Sequence, residues 1–191
     1  MKRSDINRGY RRAVAFFKKH HWTLPPQPAW DITDFGLGDF KKFGLTLVTL
    51  ANEPEYAEKI MYVRRGQVTP CHTHAKKKED IICRAGRLTL QLWKGKPGGK
   101  AKRPRPFTVP VDGQPRAVIA GRPFTLAAGS RVTLLPGVWH AFYAASVECM
   151  IGEVSTANDD LHDNFFLDPA VGRFPHIDED ERPVIRLVSD R

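Results

Sequence analysis

His72 and His74 stand two residues apart, and Glu79 follows five positions later, in a stretch bounded by Gly66 and Gly86. On a strand, residues i and i+2 leave the same face, so both imidazoles point the same way. The polar run 75–78 suits a turn of the chain, which would bring the Glu79 carboxylate back on a neighbouring strand. Two imidazoles and a carboxylate converging in this way form three sides of a divalent-metal site. His140, just after the Pro136-Gly137 turn, is the candidate for a fourth ligand. Such a shell, octahedral with two adjacent positions open, suits a bidentate ligand. Nitrogen and oxygen donors without thiolate favour Mn, Fe, Co, Ni or Zn.

A second group with chemical promise is Glu153, in Met150-Ile151-Gly152-Glu153-Val154. Strand alternation puts it on the face of Ile151, so it is expected to point into the protein body. Burial there would raise its pKa toward neutrality, as a general base requires.

These side chains need a frame to hold them. The chain opens with an expected helix, capped by Ser4, with Ile6, Tyr10, Val14 and Phe17 on one face and Leu24-Pro25-Pro26 at its end. The segment 30–40 reads as a turn-rich aromatic linker. Strands are expected at 45–50 and 58–64. A hairpin is expected from 81–83 through the turn at Ala85-Gly86 into Leu88, Leu90 and Leu92. Residues 94–122, rich in Gly, Pro, Lys and Arg, read as an excursion carrying edge strands at 107–111 and 117–120. Strands at 124–126 and 132–135 flank a turn at 128–130, and 141–154 carries one or two more. An acidic, aromatic tail follows at 158–180. Many short strands after one helix point to an all-β sandwich or barrel. The expected organisation is a single domain: N-terminal helix 1–24, β-barrel body 45–154, and irregular tail 155–191 over the barrel.

Composition bounds the function classes. With 191 residues, 41% of them hydrophobic, one sizeable core is expected. No apolar run approaches the roughly 18 residues that span a bilayer, and no apolar segment follows the N-terminus as in a secretory signal. Cys71, Cys83 and Cys149 are odd in number and lack CxxC spacing, which suits a reducing compartment, hence the cytoplasm. The net charge of +9 is spread along the chain with no nucleic-acid-binding motif, so a solvated basic surface is expected and no nucleic-acid partner. His20, His21, His162 and His176 read as ordinary residues.

Gly66, His72, His74, Glu79 and Gly86 carry the full spacing of the first cupin motif, five fixed positions over 21 residues. The second motif is looser: Gly129, then Pro136-Gly137-Val138-Trp139-His140, with proline and glycine adjacent and Ala144 where asparagine is usual. The resemblance extends further. Met1-Lys2-Arg3-Ser4-Asp5-Ile6-Asn7, Trp30-Asp31-Ile32-Thr33-Asp34-Phe35-Gly36, the run 71–80 and Gly152-Glu153-Val154-Ser155-Thr156 resemble the D-lyxose isomerase family. That resemblance implies a cupin jelly-roll barrel, a manganese cofactor held by His72, His74, Glu79 and His140, and a homodimer. It also implies interconversion of D-lyxose with D-xylulose, and of D-mannose with D-fructose. It places a functional carboxylate at Glu153 and a substrate-contacting ammonium at Lys77. Asp163 and Arg173, in the tail, are weaker candidates for binding sugar hydroxyls, while Phe165, Phe166 and Phe174 read as packing. Two rivals share the motif. A cupin dioxygenase would use Fe(II) and an apolar pocket, and a non-catalytic sugar-binding cupin would show no turnover.

Overall fold

The protein is described from a computed structural model, which covers residues 1–98, 105–156, 159, 162–172 and 176–190. Helix α1 (Arg3–Lys19) precedes strand β1 (Ala29–Thr33) and a single helical turn, α2 (Phe40–Phe43). Then come β2 (Leu45–Asn52), β3 (Tyr56–Arg64), β4 (His72–Thr73), β5 (Glu79–Ala85), β6 (Arg87–Trp93), β7 (Pro106–Val111) and β8 (Gln114–Ile119). The chain continues through β9 (Phe124–Ala127), β10 (Arg131–Leu134), β11 (Trp139–Ala144), β12 (Glu148–Thr156) and β13 (Phe165–Phe166).

Two antiparallel sheets face each other, one ordered β1-β2-β3-β12-β5-β10-β7-β8 and the other β13-β4-β11-β6-β9. This is the expected all-β jelly roll with a leading helix. Side chains alternate along the strands, apart from register shifts at Met150/Ile151 and Thr49/Ala51. Met61, Val63, Ile81, Cys83 and Ile151 point inward from the larger sheet and meet Leu88, Leu90, Leu92 and Phe142 of the smaller one. The larger sheet is also covered outside, where Ile6, Phe16 and Phe17 of α1 pack on Trp30, Ile32, Val48, Ile60 and Tyr62. Burial on both faces accounts for the apolar run Ile60-Met61-Tyr62-Val63 in β3.

Several sequence expectations change. The segment 30–36 is not all linker, because Trp30 and Ile32 face α1 while Asp31 and Thr33 face inward, making β1 an edge strand paired with β2. Helix α1 ends at Lys19, before the two prolines, and His21 then takes a left-handed backbone (φ 57°). Ser4 does not cap it. Lys2 occupies that position without a side-chain cap, and the Asp180 carboxylate instead accepts both the N–H and the hydroxyl of Ser4. The strands β5 and β6 do not form a hairpin: they lie in different sheets, so the turn at Gly86 is a corner between layers. The same holds for β9 and β10. In the tail, Phe165 and Phe166 pair with β4.

Candidate metal centre and active site

Four ligand candidates from both sheets meet at one end of the barrel. His72 on β4 and His140 on β11 are cross-strand partners, with ring centroids 4.1 Å apart. The ligating nitrogens of His72, His74 and His140 all lie within 4.8 Å of one another. Glu79, the first residue of β5, enters from the opposite sheet, with Oε1 at 3.1 Å from His140 Nε2 and 3.6 Å from His74 Nε2.

The imidazoles are held in one orientation by the backbone. His72 Nδ1 contacts the Pro70 carbonyl at 2.8 Å, His74 Nδ1 the Asp163 carbonyl at 2.7 Å, and His140 Nδ1 the Val138 carbonyl at 3.2 Å. A carbonyl oxygen only accepts, so each Nδ1 carries the hydrogen and each Nε2 is left with its lone pair toward the centre. His72 and His74 are held below the ordinary histidine pKa, chiefly by burial, with the Glu79 carboxylate opposing the shift, so both imidazoles are neutral at pH 7. Burial pushes the Glu79 carboxyl up, but His140 and Lys77 outweigh it and hold it well below its usual range. His74 Nε2 and Glu79 Oε1 are buried without a hydrogen-bond partner. Orphaned lone pairs of this kind, from a mixed imidazole and carboxylate set, are what a divalent cation satisfies, and the residues fit one.

The same cavity continues past the ligands, with a volume of about 110 Å³. Lys77, from the turn between β4 and β5, places Nζ at 3.0 Å from Glu153 Oε1 and 3.3 Å from Glu79 Oε2. Glu153, on β12, faces inward as its parity with Ile151 requires, and it lines the cavity. Lys59 on β3 is its cross-strand partner, with Nζ at 3.7 Å from Oε1. Charges of alternating sign thus run along one wall: Lys59, Glu153, Lys77, Glu79. Leu45, Leu47, Met61 and Phe35 make the drier side.

Lys59 was not expected from the sequence. Its signal was parity, since it shares a face with Met61 and Val63, where a lysine is out of place. Asp31, Thr33 and Asn164 line the cavity too. Phe166 packs against the His72 ring at 5.3 Å, so it forms part of the site wall as well as packing on Phe35. Asp163 is close to the site, but its carboxylate faces the turn: it accepts the N–H of Ala75 at 2.8 Å, Lys76 at 3.1 Å and Lys77 at 2.9 Å. Arg173 and Phe174 lie outside the described residues.

Residues 27–191 match the D-lyxose isomerase family. The chain is 39% identical to the D-lyxose/D-mannose isomerase of Escherichia coli O157:H7, with 100% of this chain and 98% of that protein covered. It is 37% identical to the D-lyxose/D-mannose isomerase of Serratia proteamaculans, covering 96% and 94%. The ligand-free structure of L-ribose isomerase from Cellulomonas parahominis has a TM-score of 0.70 at 18% identity, over 93% of this chain and 98% of that one. At that identity the likeness is one of fold.

Proposed function

The chain belongs to the D-lyxose isomerase family and is a sugar isomerase, and we propose that it interconverts D-lyxose with D-xylulose, and D-mannose with D-fructose, using a divalent metal, manganese by preference. The observation that carries this reading is the unbroken row from Glu153 through Lys77 to Glu79, with separations of 3.0 and 3.3 Å, ending at the imidazole cluster. It joins a base, an ammonium donor and a metal ligand along one cavity wall.

A cation held by His72, His74, Glu79 and His140 would supply Lewis acidity beside the sugar carbonyl. The chain's own groups carry the proton. With the aldose open, the Glu153 carboxylate removes the C2 proton; the C2–H electrons form the C1–C2 double bond, and the carbonyl electrons move to O1. The product of this step is an enediolate, with the negative charge on O1. Lys77 donates a hydrogen bond to the oxygen on which charge develops. Glu153, now protonated, returns its proton to C1: the C1–C2 double-bond electrons form the new C1–H bond, the O2–H electrons form the C2 carbonyl, and the O2 proton passes to O1, which becomes the C1 hydroxyl. Phe35, Leu45, Leu47 and Met61 keep this part of the cavity dry, which strengthens both interactions. The charged wall favours a polyol substrate over the apolar one that a dioxygenase would take.

A homodimer in the cytoplasm completes the proposal. Tyr56 and Val154, exposed on the outer face of the larger sheet, offer apolar surface for a second copy to cover. Among the described residues no helix is long and apolar enough to cross a membrane, and the three cysteines are free.

The test is ketose formation from a panel of aldopentoses and aldohexoses, with Mn²⁺ added, under air and under nitrogen. Turnover of D-lyxose and D-mannose that is independent of oxygen is expected, and so is loss of bound metal in His140→Ala. Oxygen consumption, or binding of sugar without turnover, would reject the reading.

A further inference from the structure

Asp163 makes two kinds of contact at once. Its carboxylate sits in a cradle of three consecutive N–H groups, those of Ala75, Lys76 and Lys77, at 2.8, 3.1 and 2.9 Å. Its main-chain carbonyl accepts the Nδ1–H of His74 at 2.7 Å. The side chain is almost fully buried. Successive amides pointing at one carboxylate form an anion-binding concavity, and an ionised acid is the side chain that fills it. The turn so held is the one that carries Lys77, and the imidazole so held is a metal ligand.

The segment that follows builds the cavity wall. Phe165 and Phe166 pair with Thr73 and His72 of β4, and Asn164, Phe166 and Gly172 line the cavity. The Gly172 N–H returns to the Phe35 carbonyl at 2.8 Å. Without the Asp163 carboxylate, the Lys77 turn loses three hydrogen bonds and the wall loses its anchor, and the main-chain carbonyl that orients the His74 ring is no longer held in place. All three losses occur at one residue, far in sequence from the turn.

On this basis, and resting on the metal-isomerase reading above, we infer that Asp163 is a positioning residue: it locks the 162–172 segment onto the 75–77 turn and thereby sets the His74 imidazole and the Lys77 ammonium for catalysis. Its carboxylate is committed to the backbone and is not a sugar ligand. The adjoining Asn164 is a polar side chain of this segment that lines the cavity.

Asp163→Asn tests the inference, because it preserves shape while turning one acceptor oxygen into an amide that faces N–H groups. On the full chain, Mn²⁺ affinity is measured by chelator competition. The thermal midpoint of the metal-free protein, the kcat and KM for D-lyxose at saturating Mn²⁺, and the His74 Nδ1–H resonance (identified by its loss in His74→Ala) are measured alongside. Mutating an outer partner of a metal ligand weakens metal binding by about 10- to 100-fold; here the partner is a main-chain carbonyl that the substitution displaces and does not remove, so a loss toward the lower end, about 10-fold, sets the scale. That loss is expected here, together with a lower kcat, a smaller change in KM, and broadening of the His74 signal. Asp163→Ser, whose hydroxyl still reaches one amide, is the second variant if the first fails to fold, with losses in the same direction. Wild-type Mn²⁺ affinity, kcat and His74 resonance in the variant would overturn the inference. A lowered midpoint with metal affinity unchanged would also overturn it, leaving Asp163 a purely structural role. Failure of the wild type to bind Mn²⁺ would instead remove the metal reading on which it stands.

Discussion

Glu153 lies between two ammonium groups, Lys77 at 3.0 Å and Lys59 at 3.7 Å, in a wall nearly closed to water. Burying one carboxylate is costly, and it is tolerated here because cations flank it on both sides. That arrangement lets a carboxyl group sit inside a barrel. In the mechanism proposed above, a turn of Lys77 toward a sugar oxygen would leave Lys59 as the remaining cation beside Glu153. Replacing Glu153 with glutamine removes proton transfer and leaves every metal ligand in place. A fall in kcat of about 10²- to 10⁴-fold with wild-type metal content is expected, by steady-state kinetics and elemental analysis. Lys77→Met removes the donor to the developing charge, and a loss on the order of 10²-fold in kcat is expected. At this scale the sequence was informative for the residues inside one motif. His72, His74 and Glu79 are legible because their spacing is local, and Glu153 is legible from strand parity. Lys59 and Asp31 were missed, since their parity becomes meaningful only once their strands are placed.

At the scale of elements, the corner at Gly86 separates the two sheets. Its φ of 85° belongs to glycine, and a Cβ there would come within 2.5 Å of the Glu148 carbonyl oxygen and of Ser146 Oγ. Alanine at this position must both strain the backbone and displace the β11–β12 connection. A destabilisation of roughly 2 kcal/mol or more is expected, read as a lower thermal midpoint of Gly86→Ala. The alternation Leu88, Leu90, Leu92 indicates a strand with one buried face, but it does not say which strand lies beside it. The partners of β6 turn out to be β11 and β9, from far along the chain. The helix start shows the same limit. Ser4 followed by an apolar periodicity resembles a cap, yet the acceptor that serves the first turn is Asp180, which only the folded chain brings there.

Across the whole molecule, the segment 176–190 straps helix α1 to the barrel. The buried Arg3 guanidinium donates to Glu179 at 2.6 and 2.8 Å and to Asp190 at 3.1 Å, while Asn7 donates to Glu181 at 3.0 Å. The hydrogen bond from Arg3 draws the Glu179 carboxyl below its ordinary 4.5. Burial pushes Asp190 up, but Arg3 and the Leu187 N–H outweigh it and bring it below its ordinary 3.8. Carboxyls depressed in the folded state add stability above their unfolded values, and that stability is lost as pH falls through the folded ones. The thermal midpoint should therefore drop as pH falls below about 4.5. In Arg3→Met, the protein should be less stable at pH 7 and its midpoint should depend less on pH across that acid range. An equal acid slope in both proteins would remove the strap from this account.

The sequence by itself determined the candidate ligands His72, His74 and Glu79, the inward face of Glu153, the β class and the family, because each is written in short-range spacing, in alternation along one strand or in motifs read along the chain. Tertiary structure alone decided which strands share a sheet, that β1 closes the cavity with Asp31 and Thr33, that Lys59 stands opposite Glu153, and that Asp163 grips the 75–77 turn. Those facts depend on contacts between residues tens of positions apart. Periodicity constrains which face a side chain takes, whereas the free energy of burying that face against a particular partner selects the neighbour.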